Sequence, residues 1–319
     1  MQIYPANREA YKKYSDQLYK LLLEYTDKIE RFSIDECFLD MTKYLMNDTL
    51  LNKAKEINKR VKQELGFTVN IGLANNKLLA KMASDFEKPD KIHTLFKEEI
   101  PTKMWPLPVS ELFMIGKKTV PKLTKMGIKT IGDLAKANRQ TLVKQFGKFG
   151  ELMWNNANGI DNQEVKYIKE DPKSIGHSVT LPHDTSNIEK IKEIVLKLTE
   201  QVTYRLRRYE LYANVVNVQL RTKDFKDFSH QRKLDQATSN TKDIYKIAKE
   251  LLYQMYKENI PIRLVGVRVG DLVKKEEIQL SLFSTENSQK QEKLDKTIDN
   301  LKQKYGYNII TRMGNSKGT

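Results

Sequence analysis

The sequence contains one cysteine, Cys37, so no disulfide framework can form within the chain and a reducing, cytoplasmic setting is expected. It has four scattered histidines, His93, His177, His183 and His230, and none has a spacing that suggests a zinc site. No apolar run approaches the roughly 20 residues that a membrane-spanning helix needs, so no membrane association of that kind is expected. The opening residues Met1-Gln2-Ile3-Tyr4-Pro5 lack the basic, apolar and small-residue order of a secretory leader. There is no internal repeat and no low-complexity tract. Acidic residues are also scarce: 41 Asp and Glu stand against 56 Lys and Arg.

That imbalance gives a formal net charge of +15. So basic a chain favours a polyanionic partner, nucleic acid first and an anionic membrane surface second. With 319 residues, 39% hydrophobic and 30% charged, the chain can bury a core and suits two or three domains. Residues 1–100 read as mixed α/β. Helical periodicity over 8–27 brings Leu18, Leu21, Leu22 and Tyr25 to one face, and a second helix over 48–65 is closed by Gly66. The run from Phe32 to Met41 is apolar and extended, and Phe67 to Leu73 reads as a strand. A helix from Asn76 to Phe86 must stop before Pro89.

Three prolines between Pro101 and Pro108 mark a boundary, and residues 101–170 read as short helices punctuated by glycine, with a basic excess. Residues 171–272 then follow a β-α-β-β-α-β order. Within them Val216, Val218 and Leu220 alternate with Asn217, Gln219 and Arg221. Residues 273–319 form a polar tail with one more helix near 286–304. The expected class is therefore α+β and multidomain.

The sharpest chemical feature is Ser33-Ile34-Asp35-Glu36-Cys37-Phe38-Leu39-Asp40. Neighbours on a regular strand point to opposite faces, so Asp35 and Glu36 serve one site only at a hairpin tip or bulge. So placed, they suit Mg²⁺, which prefers oxygen donors and substrate phosphates. As residues alone, an ordinary solvated turn is the more usual account of such a pair. A second feature is the glycine hairpin Phe113-Met114-Ile115-Gly116-Lys117-Lys118-Thr119. Backbone N–H groups there can approach a phosphate, with Lys117 and Lys118 adding charge; a plain helix cap is the alternative.

The octapeptide resembles the Ser-Ile-Asp-Glu motif of Y-family DNA polymerases, the UmuC and DinB type. Ile71 to Ser84, running on into Phe86-Glu87-Lys88-Pro89-Asp90, looks like that family's strand-to-helix segment. The Gly116 region and Met126 to Leu134 resemble its helix-hairpin-helix thumb. Lys173 to Pro182 and Ile262 to Val269 resemble the first and last strands of its little-finger domain. The resemblance implies a palm over 1–100, a thumb over 101–170, a little finger over 171–272 and a tail over 273–319.

It also implies translesion DNA synthesis by nucleotidyl transfer from a dNTP to a primer 3′-OH, with two magnesium ions. Asp35 would be a metal ligand, Glu36 a metal ligand or a positioner of the primer 3′-OH, and Lys88 would contact the triphosphate. Gly116, Lys117, Lys118, Asn217, Arg221 and Arg268 would contact primer–template DNA. In the tail, Gln279-Leu280-Ser281-Leu282-Phe283 resembles the pentapeptide that docks bacterial polymerases on the sliding clamp, with Gln279, Leu280, Leu282 and Phe283 as anchors.

Nothing before Arg31 resembles the family's first palm strand, which carries another metal-binding Asp, or its fingers. The expectation is thus an N-terminally shortened chain, with one protein ligand missing from the two-metal site and little activity alone. A non-catalytic, clamp-tethered DNA-binding protein needs only residues 101–319. A different palm-fold enzyme, such as a nucleotide cyclase, fits less well with so long a basic C-terminal region.

Overall fold

A computed structural model describes residues 4, 6–44, 49–168, 170–257, 260–277, 286–306 and 309–310. Short polar side chains start most of its helices, because they satisfy backbone N–H groups that have no partner within the helix. Asn7, Thr49 and Asn76 do this for α1 (Arg8–Leu22), α2 (Leu50–Arg60) and a third helix, α3 (Lys77–Asp85). The chain divides into two compact units, residues 1–169 and 170–319.

In the first unit, α1 leads to the antiparallel pair β1 (Ile29–Arg31) and β2 (Cys37–Leu39). The expected extended run is therefore a hairpin, with Phe32–Glu36 as its loop. Helix α2 ends in a π turn, Val61–Leu65, capped by Gly66 at φ 75°. The expected strand over 67–73 is paired only at β3 (Ile71–Leu73), which runs parallel to β4 (Ile92–Thr94) with α3 as the crossover. Leu21, Leu22, Ile29, Ile57 and Val61 pack between these elements.

Helix α3 lies so close to β3 that only glycine fits at position 72. A Cβ on Gly72 would stand 1.9 Å from the Ala80 carbonyl oxygen. Backbone cannot swing aside as a side chain can, so Gly72→Ala is expected to destabilise this unit by about 2–3 kcal/mol in urea denaturation. An unchanged midpoint would show that the two backbones separate freely.

The helices α4 (Val120–Lys125), α5 (Ile131–Lys136), α6 (Arg139–Phe146) and α7 (Lys148–Ala157) complete the unit. Their Leu123, Leu134, Leu142 and Met153 share one buried cluster with Leu79 and Met82 of α3.

On α1, the Lys12 ammonium and the Arg31 guanidinium hold the Asp16 carboxyl down to about 2, from 3.8. A depressed carboxylate stabilises the fold fully above its unfolded value and loses that contribution as pH falls. The melting-temperature gap between Asp16→Asn and the parent is therefore expected to shrink between about pH 4 and pH 2. A gap unchanged over that range would contradict the pairing.

The second unit is a β-α-β-β-α-β domain, as the periodicity predicts. Its elements are β5 (Ser174–Thr185), α8 (Ile188–Arg208), β6 (Leu211–Thr222), β7 (Asp227–Thr238), α9 (Thr241–Met255) and β8 (Ile262–Lys274). The sheet order is β5-β8-β6-β7 with every neighbour antiparallel. Each β-α-β crossover therefore skips a strand: β8 lies between β5 and β6, and β6 between β7 and β8.

Val195, Leu198 and Val202 of α8 and Ile244, Ala248 and Leu252 of α9 bury one sheet face against Val216, Val218, Val265 and Val267. The strands alternate, so the opposite face carries Asn217, Gln219 and Arg221. A final helix, α10 (Glu286–Tyr305), follows. Among the described residues no helix is long and apolar enough to cross a membrane.

Candidate active site

The β1–β2 register, Ile29↔Leu39 to Arg31↔Cys37, leaves Phe32–Glu36 as a five-residue loop. The Glu36 carbonyl closes this loop by accepting from the N–H groups of Phe32 at 3.0 Å and Ser33 at 3.2 Å. Asp35 and Glu36 thus sit side by side at a hairpin tip, one of the two local geometries, with a bulge, in which both can serve a single site. The Ser33 hydroxyl donates to Asp35 Oδ1 at 2.5 Å and accepts from the Asp35 N–H at 3.3 Å. Asp35 is exposed and Glu36 half-buried.

Glu36 Oε1 accepts from Lys81 Nζ at 2.6 Å, and Lys81 reaches Asp85 at 2.9 Å. Asp85 in turn pairs with Lys88 at 2.8 Å. Four charges of alternating sign therefore run from the hairpin tip along α3 to the predicted triphosphate lysine. Burial is the largest influence on Lys81 and opposes its charge, yet the bonds from Glu36 and Asp85 together raise its pKa. Burial likewise works against the Asp85 carboxylate, and Lys88 and Lys81 outweigh it, so its pKa is lowered.

Behind the tip, Lys77 Nζ and Glu30 form a largely buried pair at 2.7 Å, and Lys77 also lies 5.1 Å from the Phe38 ring centre. These contacts fix the hairpin against the N-terminal turn of α3. Asp40, the last residue of the acidic octapeptide, bonds instead to Thr42, which chiefly lowers its pKa, and to Lys28, which adds to that effect.

The donor set fits a hard divalent cation in part. Two adjacent carboxylates at an open loop supply oxygen ligands of the kind magnesium takes together with water and phosphate. Among the described residues, no group of three or more His, Cys, Asp or Glu side chains converges as a metal site.

In the helical segment, Gly116, Lys117 and Lys118 are exposed, and a Cβ at Gly116 would meet nothing within 4 Å. The Gly116 carbonyl accepts from the Thr119 N–H at 2.8 Å, opening the turn into α4. Gly127, at φ 82°, ends α4 as a helix cap.

On the sheet domain, Asn217 and Arg268 are paired across β6 and β8. They share a shallow basin of about 620 Å³ with Lys173, Ser174, His177 and Gln219. Arg221 is different: Asp227, its partner across the β6–β7 hairpin, holds it through two hydrogen bonds at 2.8 and 3.0 Å. That pairing raises the Arg221 pKa, lowers that of Asp227, and offsets the charge available to a phosphate. Gln279, Leu280, Leu282 and Phe283 lie outside the described residues.

Sequence reasoning missed Lys81 and Asp85 as members of the site. Their spacing, with Lys88 three residues beyond Asp85, is a helical i, i+4 signal that could have revealed them.

Comparison with known proteins agrees along the chain. Family models match residues 1–85 (impB/mucB/samB family), 111–161 (DNA polymerase-iota, thumb domain) and 172–282 (impB/mucB/samB family C-terminal domain). DNA polymerase IV of Clostridium acetobutylicum is 44% identical over 310 residues, covering 97% of this chain and 78% of that protein. DNA polymerase IV of Oceanobacillus iheyensis is 40% identical over 312 residues, covering 97% of this chain and 74% of that protein. A solved Y-family DNA polymerase chimera of Dbh and Dpo4 has a TM-score of 0.74 at 24% identity, a likeness of fold, covering 85% of this chain and 78% of that one. By its sequence relatives and by these matches from the carboxylate hairpin to the C-terminal sheet, the chain belongs to the Y family of DNA polymerases, the DinB and UmuC type.

Proposed function

We propose that this chain acts in copying damaged templates by two-metal nucleotidyl transfer, with residues 1–100 as palm, 101–170 as thumb, 171–272 as little finger and 273–319 as a clamp-tethering tail. The observation that carries the reading is the pair of carboxylates at the hairpin tip, joined through Lys81 and Asp85 to Lys88. Asp35 and Glu36 would hold the divalent cation, and Lys88 would meet the triphosphate. Bound magnesium would neutralise the triphosphate and activate the primer hydroxyl. Ser33 orients the Asp35 carboxylate and Lys81 that of Glu36. Lys88 suits an anion as a compact point charge.

Gly116, Lys117 and Lys118 would grip the duplex backbone, as would Asn217 and Arg268 on the open sheet. Such contacts hold DNA without reading its sequence. Arg221 would join them only by giving up Asp227. Gln279, Leu280, Leu282 and Phe283 would anchor the tail in an apolar groove of the sliding clamp.

The reading is tested by anisotropy of a labelled primer–template. The dNTP complementary to the template, with Mg²⁺, is expected to tighten the complex, and non-complementary dNTPs are not. Duplex affinity is expected to fall on the order of 10²–10³-fold between about 0.05 and 0.2 M salt, with weak sequence dependence. A flat salt response would sink the DNA-binding assignment. Steep salt dependence without nucleotide discrimination would favour the second reading, a non-catalytic DNA-binding protein.

A further inference from the structure

Helix α10 is attached to its domain by its charged side. The Arg207 guanidinium of α8 makes two bonds to Asp299, at 2.6 and 2.8 Å, and lies 3.4 Å from Asp295. The Thr241 N–H donates to Asp295 at 3.1 Å, and Lys302 reaches Glu200 at 3.3 Å. No described residue of α10 joins the apolar core beneath α8 and α9.

The apolar side chains of the helix lie elsewhere. Leu294, Leu301 and Tyr305 are 49%, 36% and 58% exposed, and Ile298 is half-buried. Their spacing of four, three and four residues makes one continuous seam, the arrangement that meets a second helix. A helix on a domain surface ordinarily turns such a stripe inward. Here Asp295, Asp299 and Lys302, each one residue on from a seam position and so about 100° around the helix, hold it to the domain and leave the seam at the surface.

We propose that the Leu294–Ile298–Leu301–Tyr305 seam is a docking surface for an acidic amphipathic helix of another protein. The charges beside the seam select this occupant. Lys290, Lys293 and Lys304 are exposed on α10, and the Lys304 ammonium lies 5.2 Å from the Tyr305 ring centre. Two copies of the helix would bring like charges together, which disfavours self-pairing. A nucleic acid would satisfy the lysines and leave the leucines wet. A helix with an apolar stripe between carboxylates satisfies both.

The experiment uses the full chain and a labelled 28-residue probe peptide of four heptads, with Leu at the core positions and Glu beside them. Binding is expected by anisotropy, and Leu294→Ser with Leu301→Ser should weaken it by about tenfold or more. Lys290→Glu with Lys304→Glu should weaken it too, and transfer preference to a probe with Lys in place of Glu. Both pairs are surface changes, and circular dichroism checks that the variants fold.

A probe that does not bind, or binds the serine variant equally well, overturns the proposal. So does seam-dependent binding of phosphatidylglycerol vesicles without probe binding, which would make the helix a membrane contact. Sedimentation showing seam-dependent dimers without probe binding would likewise overturn it.

Discussion

Alanine in place of both Asp35 and Glu36 is expected to abolish the tightening of the primer–template complex by complementary dNTP and magnesium while leaving duplex affinity itself within about twofold. The asymmetry follows from where the residues stand. The loop is held by the Glu36 carbonyl, which any residue supplies, so the hairpin survives the change. The proposed duplex contacts at Gly116 to Lys118 and at Arg268 lie elsewhere in the chain. Water-proton relaxation with Mn²⁺ gives a readout independent of turnover: the parent should bind the ion in the presence of duplex and nucleotide, and the double variant should not.

The single variants separate the two roles. Glu36→Gln keeps an oxygen for Lys81 and loses a charge, so it should retain stability and lose metal. Lys81→Met should free the Glu36 carboxylate from its ion pair and make metal binding less dependent on bound nucleotide, without removing a ligand. A double variant that loses duplex affinity and metal equally would mean that the tip contacts DNA and performs no separate chemistry.

Arg207→Leu is expected to cost the sheet domain about 3–5 kcal/mol. Arg207 is 11% exposed, and its partners Asp295 and Asp299 are 1% and 16% exposed. Arg207 also donates to the Ser239 carbonyl and to the Thr241 hydroxyl. Removing the guanidinium takes both of its hydrogen bonds from Asp299 and the nearby cation from Asp295, which keeps the Thr241 N–H, and a largely buried carboxylate that loses its cation costs more than the intact pair contributes. Urea denaturation of the full chain measures the loss. Adding Asp295→Asn and Asp299→Asn to Arg207→Leu should recover part of it, because the negative charges that lost their cation go too. A loss below about 1 kcal/mol, the level of an exposed ion pair, would mean that α10 leaves the surface readily.

The sheet domain was the most legible part of the sequence, and the reason lies in its strands. One face of β6 is buried, so Val216, Val218 and Leu220 must alternate with polar residues, and a period of two is hard to mistake. The first unit was harder to read. Its strands are three residues long, too short for alternation, and the Phe32–Glu36 loop carries apolar residues of its own, Phe32 and Ile34, which blur its bounds. What could be read there was the condition that neighbouring carboxylates need a hairpin tip, and the fold meets it.

Pairings across the fold stayed hidden. Lys81 meets Glu36 over 45 residues of separation, and composition carries no trace of such a contact. Arg221 read as a free cation because its neutralising partner is visible only once the β6–β7 turn fixes the register. Helix α10 was legible as a helix and illegible in orientation, since an amphipathic pattern says that a stripe exists and leaves open which side the protein turns inward.

The file of charges from Glu36 to Lys88 has a consequence for the order in which ligands arrive. A polyphosphate that captures Lys88 deprives Asp85 of one partner, and Asp85 then draws harder on Lys81. Lys81 stands between two carboxylates, so what Asp85 gains, Glu36 gives up. On the proposed assignment, an anion at one end would thereby loosen an acid at the other, and the acceptor for a cation would become available once the nucleotide that carries the cation is in place.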